Sequence, residues 1–331
     1  MRVGKMLVVA GLVVLSGCVG TEPNAAPDPA GSSASPSMID TLAPSAAPSA
    51  ADPTPGQLIW QTTSFSTLEG GLQLAVTDDG WVYALESRGH RIAVFDSAGY
   101  RKPSFGEKGS GPGQFDFFLG KGNYQVVGGI AVSGDVIFVV DESGRIQKFD
   151  RDGKYLSAWG RRGDGPGEVE QPQAMVSDSQ GRIWVGDAKH NTVQGFTPDG
   201  KLAARFKVGV KEFLKSMCVD DEGAVYVADE VGAIYRYSPT GKRVATFGTP
   251  SNDDGVFEDG ELSPALKGMA CRTGDLVYVS DQMPRKVHVF DKTGKFVYSF
   301  PGGDGGIGLG PDNTLVGANA DLGTISKWHL K

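Results

Sequence analysis

The chain has 331 residues, a net charge of −7 and 48 glycines, which is roughly twice the usual glycine content. Its 21% charged and 40% apolar residues exclude a wholly disordered chain, and three cysteines are too few for a small disulfide-rich domain. The negative charge also argues against a basic, nucleic-acid-binding surface.

The N-terminus has the pattern of an export signal. Two cations, Arg2 and Lys5, precede an apolar run over 6–15 that is too short to span a bilayer. The run ends in Leu15-Ser16-Gly17-Cys18, which resembles the lipobox of bacterial lipoproteins. The resemblance implies that 1–17 is a signal peptide and that Cys18 is the lipidated residue, carrying palmitate among its acyl chains.

The segment 18–56 differs in composition from the rest of the chain. It is dominated by alanine, proline and serine and shows no apolar periodicity. This composition predicts a disordered tether between a lipid anchor and a folded domain. We therefore expect an exported protein that is anchored to the cell envelope by lipid alone, in the outer membrane if the cell is Gram-negative.

From residue 57 onward the chain repeats itself. An aromatic residue is followed four residues later by glycine, and six residues after that glycine comes a second aromatic residue. The aromatic–glycine pairs are Phe95/Gly99, Phe149/Gly153, Phe196/Gly200, Tyr237/Gly241 and Phe290/Gly294. Short β-rich runs separate the pairs. Repeats of about 40–50 residues with four short strands each are typical of propeller blades.

The last copy of the repeat ends at Lys331 without an outer strand. The residues after Gly56 precede the first inner strand and have the pattern of an outer strand. The sequence thus predicts an all-β, six-bladed propeller over 57–331, closed by an N-terminal strand that completes the last blade and covers its edge.

The repeats resemble a known family. The run Gly129-Ile130-Ala131-Val132 and the loops 109–115 and 163–168 are similar to NHL repeats, which build six-bladed propellers. With the lipobox and the tether, the chain resembles bacterial six-bladed β-propeller lipoproteins. The resemblance implies a binding or scaffolding module for a protein, a peptide or an envelope glycan, although one fold can host many functions.

A propeller enzyme and an RNA-binding protein are the two alternatives to a binding module. A propeller enzyme of the amidating-lyase or lactonase type would need a metal in the central channel. The inner strands predicted over 72–76, 128–132, 173–177, 216–219, 268–271 and 305–309 contain no Asp, Glu or His. We therefore predict no catalytic residue, no metal and no cofactor. RNA binding disagrees with export and with the negative charge. The carboxylates of the acidic loop 252–261 are of the kind that binds Ca²⁺, but the loop lacks the spacing of an EF-hand. A weak calcium site there is left open.

Long insertions over 106–127, 160–172 and 248–267 are predicted to lie on one face of the propeller, and such loops commonly carry binding. The candidate ligand-binding residues on or near this face are Arg88, Phe117, Phe118, Tyr124, Arg161, Arg162, His190, Lys215, Lys267 and Arg285. One acidic residue per blade follows a β-rich run and is predicted to hold a turn by side-chain hydrogen bonds. These residues are Asp141, Asp187, Asp229 and Asp281.

Two cysteines lie on predicted inner strands of neighbouring blades. Cys218 and Cys271 have opposite strand parity, which a bridge between adjacent blades requires. Export would place them where disulfides persist. However, inner strands of adjacent blades can lie too far apart for a bridge, and buried thiols also pack well. A disulfide and two buried thiols both remain open at this point.

Overall fold

A computed structural model describes residues 45–46, 56–62, 73–120, 125–211, 213–250, 261–263, 265–272, 276–302, 304–319 and 322–330. These residues form five antiparallel sheets of four strands, a sixth sheet of five strands, and two short parallel pairs. Among them there is no helix with the length and hydrophobicity needed to cross a membrane. Each large sheet is one blade, with strands a to d running from the inside outward.

The strand bounds are as follows, in blade order from one to six. Strands a are Leu74–Val76, Gly129–Ser133, Pro172–Ser177, Leu214–Val219, Leu266–Arg272 and Ile307–Gly310. Strands b are Val82–Glu86, Val136–Val140, Ile183–Asp187, Val225–Asp229, Leu276–Asp281 and Thr314–Asn319. Strands c are Arg91–Phe95, Ile146–Phe149, Thr192–Phe196, Ile234–Tyr237, Lys286–Asp291 and Thr324–His329. Strands d are Arg101–Phe105, Tyr155–Trp159, Leu202–Lys207, Arg243–Phe247, Phe296–Pro301 and, for blade six, Leu58–Gln61.

The six strands a form a closed ring. Each contacts the strands a of both neighbouring blades, and the last contacts the first. Between each pair of neighbouring blades lies one cluster of buried apolar side chains. Strands b are buried on both sides, and for this reason they read as almost continuous apolar runs. The predicted six-bladed propeller is confirmed.

The last blade is built from both ends of the described chain. Leu58 pairs with Trp328 and Gln61 with Ser326, in antiparallel register. The N–H of Gly56 donates to the carbonyl of His329 over 2.8 Å. The strand that precedes blade one therefore covers the outer edge of blade six, as the sequence predicts. A two-residue strand, Ser45–Ala46, pairs onto this strand in turn, inside the segment that the sequence predicts to be a tether.

The repeated aromatic–glycine marker has a structural explanation. The glycine that precedes strand d in each blade has a φ between +78° and +90°, which L side chains rarely adopt. Against it lies the aromatic side chain from strand d of the preceding blade, so close that a Cβ on the glycine would lie within 3.0 Å of the ring or its Cβ. The contacts are Phe105/Gly153, Trp159/Gly200, Phe206/Gly241, Phe247/Gly294, Phe300/Gly56 and Trp60/Gly99. They run once around the ring, and the last two close it.

Candidate functional site

The two ends of the ring differ in how they are built. One end carries the short a–b and c–d turns. The other carries the b–c turns and the connections that lead from strand d of one blade to strand a of the next. We call this second end the connection face. It includes the described parts of the two long insertions predicted over 106–127 and 160–172. Residues 121–124 of the first insertion and 251–260 and 264 of the third lie outside the described residues.

Buried aspartates at the end of strand b join the two parts of the connection face. Each accepts an N–H from its own b–c turn and another from the connection that precedes its blade. The turn donors are Ser143 to Asp141 (3.1 Å), Lys189 to Asp187 (3.0 Å), Val231 to Asp229 (3.1 Å) and Met283 to Asp281 (3.3 Å). The connection donors are Asp116 (3.1 Å), Glu170 (3.0 Å), Lys211 (3.2 Å) and Ser263 (2.7 Å), in the same order.

The environment of these aspartates is largely dehydrated. Burial raises the pKa of Asp141, and the hydrogen bonds from Ser143 and Asp116 offset part of that rise. A carboxylate that accepts several N–H donors is held in one position. The aspartates therefore fix where each connection leaves the scaffold, in addition to the turn that the sequence indicates.

Two buried glutamines on strand c form hydrogen bonds with the backbone of the long connections. The Oε1 of Gln147 accepts the N–H of Gly113 (2.9 Å), and its Nε2 donates to the carbonyl of Gln114 (2.7 Å). In blade three, Gln194 makes the same pair of contacts with Gly167 (2.8 Å) and Glu168 (2.6 Å). These two glutamines are not among the residues predicted from the sequence. The available signal was a glutamine two positions before the marker aromatic in both blades.

Three predicted site residues come together on blades two and three. Arg162 contacts Glu142 and lies 3.4 Å from Glu170. The ring of His190 lies between two carboxylates, with Nδ1 3.0 Å from Asp187 and Nε2 3.3 Å from Glu170. Arg161 donates to Glu168 over 2.6 Å. The two arginines and the His190 ring are thus part of a polar network that ties one connection to two b–c turns.

The other predicted residues are distributed around the ring. Lys215 pairs with Glu230 over 2.9 Å, and the Nε of Arg285 lies 3.8 Å from Asp304. Arg88 and Lys267 are exposed on blades one and five. The structure therefore does not collect the nine predicted residues that it describes into one pocket.

The two predicted phenylalanines differ, and the tyrosine is not placed. Phe117 is fully buried and stacks on Phe115, so it is a core residue and not part of the binding surface. Phe118 is half-buried and makes an edge contact with His90, with centroids 5.5 Å apart. Burial lowers the pKa of His90. Tyr124 lies outside the described residues.

Exposed apolar side chains on the connection face were not among the predicted residues. Phe213, Met283 and Leu322 are 50%, 54% and 53% exposed and belong to blades four, five and six. Each lies in a connection or a b–c turn, where no strand alternation assigns it to the core. Large apolar groups in such positions are available for contact with a partner.

A central cavity of about 170 Å³ runs between the strands a. The side chains that line it are mostly apolar and include Ile130, Met175 and Val219, and none of the described lining residues is Asp, Glu or His. At the connection-face end, the Nε2 of Gln73 donates to the carbonyl of Gly128 over 3.0 Å and also contacts the carbonyl of Gln173. Throughout the described part of the chain there is no group of three His, Cys, Asp or Glu side chains able to hold a metal.

Cys218 and Cys271 form a disulfide in the structure, with their Cα atoms 5.6 Å apart. They join strands a of blades four and five, and both line the central cavity. Of the two possibilities that the sequence leaves open, the structure has the bridge. Strands a converge at the axis of the ring, which brings neighbouring inner strands within disulfide distance.

The closed ring, its six interblade cores and its connection face define a six-bladed β-propeller. The chain belongs to the family described as outer membrane protein assembly factor BamB, whose model matches residues 48–300. The match begins inside the segment predicted to be a tether and extends through blade five.

Several solved structures have a similar fold. Virginiamycin B lyase from Staphylococcus aureus has a TM-score of 0.54 at 14% identity, covering 82% of this chain and 98% of the lyase. A chain of the mitotic checkpoint complex has a TM-score of 0.55 at 14% identity, covering 86% and 96%. U3-55K has a TM-score of 0.54 at 12% identity, covering 78% and 80%. At these identities the likeness shows the fold alone.

Proposed function

We propose that this chain is an envelope protein that binds a protein partner through its connection face. The observation that carries the proposal is the double anchoring of the connections, by aspartates from strand b and by glutamines from strand c. Loops held in one conformation lose little entropy when a partner docks. Membership in the BamB family supports a place in the envelope.

The chemistry of the face also favours a protein. Phe213, Met283 and Leu322 offer apolar contact area, and the network around Arg162 and His190 offers charged groups at its side. Interfaces commonly combine apolar anchors with a polar surround. A peptide would use the same groups, while an envelope glycan would favour aromatic and amide contacts.

Site-specific photo-crosslinking in living cells tests the proposal. The crosslinking residue replaces Phe213 or Met283 on the connection face and, as controls, Val244 or Val297 on strands d. The controls are 51% and 47% exposed, so accessibility is matched. We expect one discrete protein adduct at the two face positions and none at the controls. Adducts at the controls alone, or at none of the four positions, contradict the proposal.

A lyase is the alternative function, because propeller lyases share the fold. The cavity lining does not support it, since its apolar side chains supply neither a general base nor metal ligands. Incubation with quinupristin, which is named with one of the similar lyases, is expected to leave the compound unchanged by chromatography. Conversion that needs a stoichiometric metal in the purified protein would replace the binding proposal with the enzyme.

We also propose the arrangement 1–17 signal peptide, 18–56 tether with lipidated Cys18, and 57–331 propeller with blades of NHL type. The lipobox supports the anchor, and the matching internal hydrogen bonds of loops 109–115 and 163–168, from Gly111 to Gln114 and from Gly165 to Glu168, support the repeat type. In cells, Cys18→Ser is expected to abolish palmitate incorporation and to shift the protein out of the membrane fraction. Unchanged labelling of that variant contradicts the anchor.

A further inference from the structure

Protein crosses the central cavity at its connection-face end. Gln73 stands directly before strand a of blade one, and its Nε2 contacts the carbonyls of Gly128 and Gln173. One side chain thus links the starts of three strands a. Neighbouring strands a also approach closely there, since a Cβ on Gly129 would lie 2.6 Å from the Cβ of Met175.

The cavity opens at the other end of the ring, which we call the turn face because it carries the a–b and c–d turns. Every strand a ends at this face. The last lining residues of the six strands are Val76, Val132, Ser177, Val219, Cys271 and Leu309. Exposure rises along the strands toward these residues: Ile130 is 2% exposed and Val132 9%, and Met269 is buried whereas Cys271 is half-buried. Solvent therefore reaches the cavity from the turn face.

The walls of the cavity combine apolar side chains with polar backbone groups. Each strand a is an edge strand of its sheet, so part of its backbone N–H and C=O groups faces the axis of the ring. The contact of Gln73 with Gly128 shows that a carbonyl near the axis accepts an N–H donor. The cavity volume of about 170 Å³ is close to that of an apolar cavity of about 150 Å³ that holds benzene. The cavity thus fits one apolar group of that size together with a hydrogen-bond donor.

Exposed carboxylates surround the mouth of the cavity on the a–b turns. Asp78 and Asp221 each stand two residues after a lining residue, Val76 or Val219, which is about 7 Å along the chain. The exposed acidic residues of these turns are Asp78, Asp79, Asp135, Asp221, Glu222 and Asp312.

Nearby cations do not balance the acidic residues. The basic residues that pair with them or lie beside them are Arg151, Arg182, Arg236, Arg272, Lys292 and Lys327. The same turns also contain Asp178, Asp220 and Asp275, so the carboxylates outnumber the cations. A mouth with an excess of carboxylates attracts cations and repels anions.

We propose that this cavity binds a small organic cation, whose benzene-sized apolar group enters the cavity and whose ammonium group stays at the acidic mouth. An ammonium group has three donors and no acceptor, which suits carbonyls and carboxylates. Its place at the mouth keeps it in contact with water and avoids the cost of burying a charge. The site lies at the end of the ring opposite the connection face, so it goes beyond the proposed function and does not depend on it.

Calorimetric titration of the full chain with three compounds of similar shape tests the proposal. The compounds are 2-phenylethylammonium, the neutral 2-phenylethanol and the anionic 3-phenylpropanoate. At an ionic strength of about 0.02 M, we expect one site for the ammonium compound, with a Kd about 10-fold below that of the alcohol, and the weakest binding for the anion. At about 1 M salt the difference between the ammonium compound and the alcohol is expected to shrink to about 2-fold.

Two double variants test the role of the mouth. Asp78→Asn with Asp221→Asn is expected to raise the Kd of 2-phenylethylammonium about 3- to 10-fold at low salt and to leave that of 2-phenylethanol unchanged. Glu107→Gln with Asp164→Asn is the matched control, because it removes two exposed carboxylates at the connection face. This control is expected to bind all three compounds as the wild-type chain does.

The disulfide in the cavity wall reports where the compound binds. Dithiothreitol reduces the Cys218–Cys271 bridge to two thiols and is itself oxidised to a cyclic disulfide, and mass spectrometry of the alkylated cysteine peptides follows the rate. Saturating 2-phenylethylammonium is expected to slow this reduction at least about 3-fold, because both cysteines line the cavity. Three results overturn the proposal: equal binding of the three compounds, equal losses in the two double variants, or a bridge that resists dithiothreitol in the folded chain or reacts equally fast with the compound bound. These measurements use no protein partner, so their failure is distinct from failure of the proposed function.

Discussion

Replacing Gly241 with alanine tests whether the aromatic–glycine contacts hold neighbouring blades together. Gly241 has a φ of +83°, and a Cβ there would lie within 3.0 Å of the Phe206 side chain. Gly167 provides a matched control, since its φ is +82° and no heavy atom lies within 4 Å of its Cβ position. The two substitutions share the backbone cost and differ in the steric clash.

The expected magnitudes follow from this difference. The left-handed conformation costs an L residue about 1–2 kcal/mol, which is the full expected effect of Gly167→Ala. Overpacking against a ring adds about 1–3 kcal/mol, so Gly241→Ala is expected to cost about 2–5 kcal/mol. For a domain of this size, these values correspond to Tm decreases of roughly 2–8 °C for Gly167→Ala and roughly 4–20 °C for Gly241→Ala.

Differential scanning calorimetry of both variants gives the comparison. A double variant isolates the contact between Gly241 and Phe206. In a Phe206→Ala background, Gly241→Ala is expected to cost no more stability than Gly167→Ala does in the wild-type chain. Equal destabilisation by the two glycine substitutions in the wild-type background refutes the reasoning, because it would mean that backbone conformation alone explains the repeated glycine.

Three further predictions concern the strand that closes blade six, the buried Asp141 and the Cys218–Cys271 disulfide. Trp60→Ala is expected to lower the free energy of unfolding by about 3–5 kcal/mol in urea titrations, against about 0.5 kcal/mol or less for the exposed Leu58→Ala, and equal losses would contradict closure by this strand. The folded-state pKa of Asp141 is raised, so its contribution to the free energy of unfolding is present below its unfolded pKa and declines as pH rises through its folded pKa. Asp141→Asn is expected to remove this decline from a plot of the free energy of unfolding against pH. An unchanged decline would mean that another group causes it. Cys218→Ser is expected to cost about 4 kcal/mol for a loop of 53 residues, and two reactive thiols in the unfolded, unreduced 57–331 fragment would exclude the bridge to Cys271.

The ring could be predicted from the sequence because its signals are local. The aromatic–glycine pair marks the c–d turns. The strand after Gly56 has no partner in the repeats next to it, and the last repeat lacks an outer strand, so the two are predicted to pair. The connections gave no such signal. The position of Phe117 in an insertion predicts a surface residue, because strand alternation does not indicate which side chains of an insertion are buried.

The glutamine contacts with the connections and the disulfide depend on distances that the sequence does not contain. Gln147 and Gln194 look like ordinary strand residues until the connection above them is placed. Parity allowed a Cys218–Cys271 bridge, but only the convergence of the strands at the ring axis decides whether the sulfurs meet. The pairing of Ser45–Ala46 was hidden because the alanine, proline and serine content around it is typical of unstructured linkers.

The pairing of distant strands in blade six also determines when during folding the ring can close. The hydrogen bond from Gln61 to Thr324 joins residues 263 positions apart, so it can form only after nearly the whole chain exists. A chain made from its N-terminus can assemble blades one to five as they emerge, but its first strand must wait for its last residues. Closure is therefore the contact with the largest loop entropy to overcome, and we expect it to limit the rate of folding. Until then the outer strand of blade six is missing and its strand c is an unpaired edge, which is open to pairing with another chain or to binding by a chaperone.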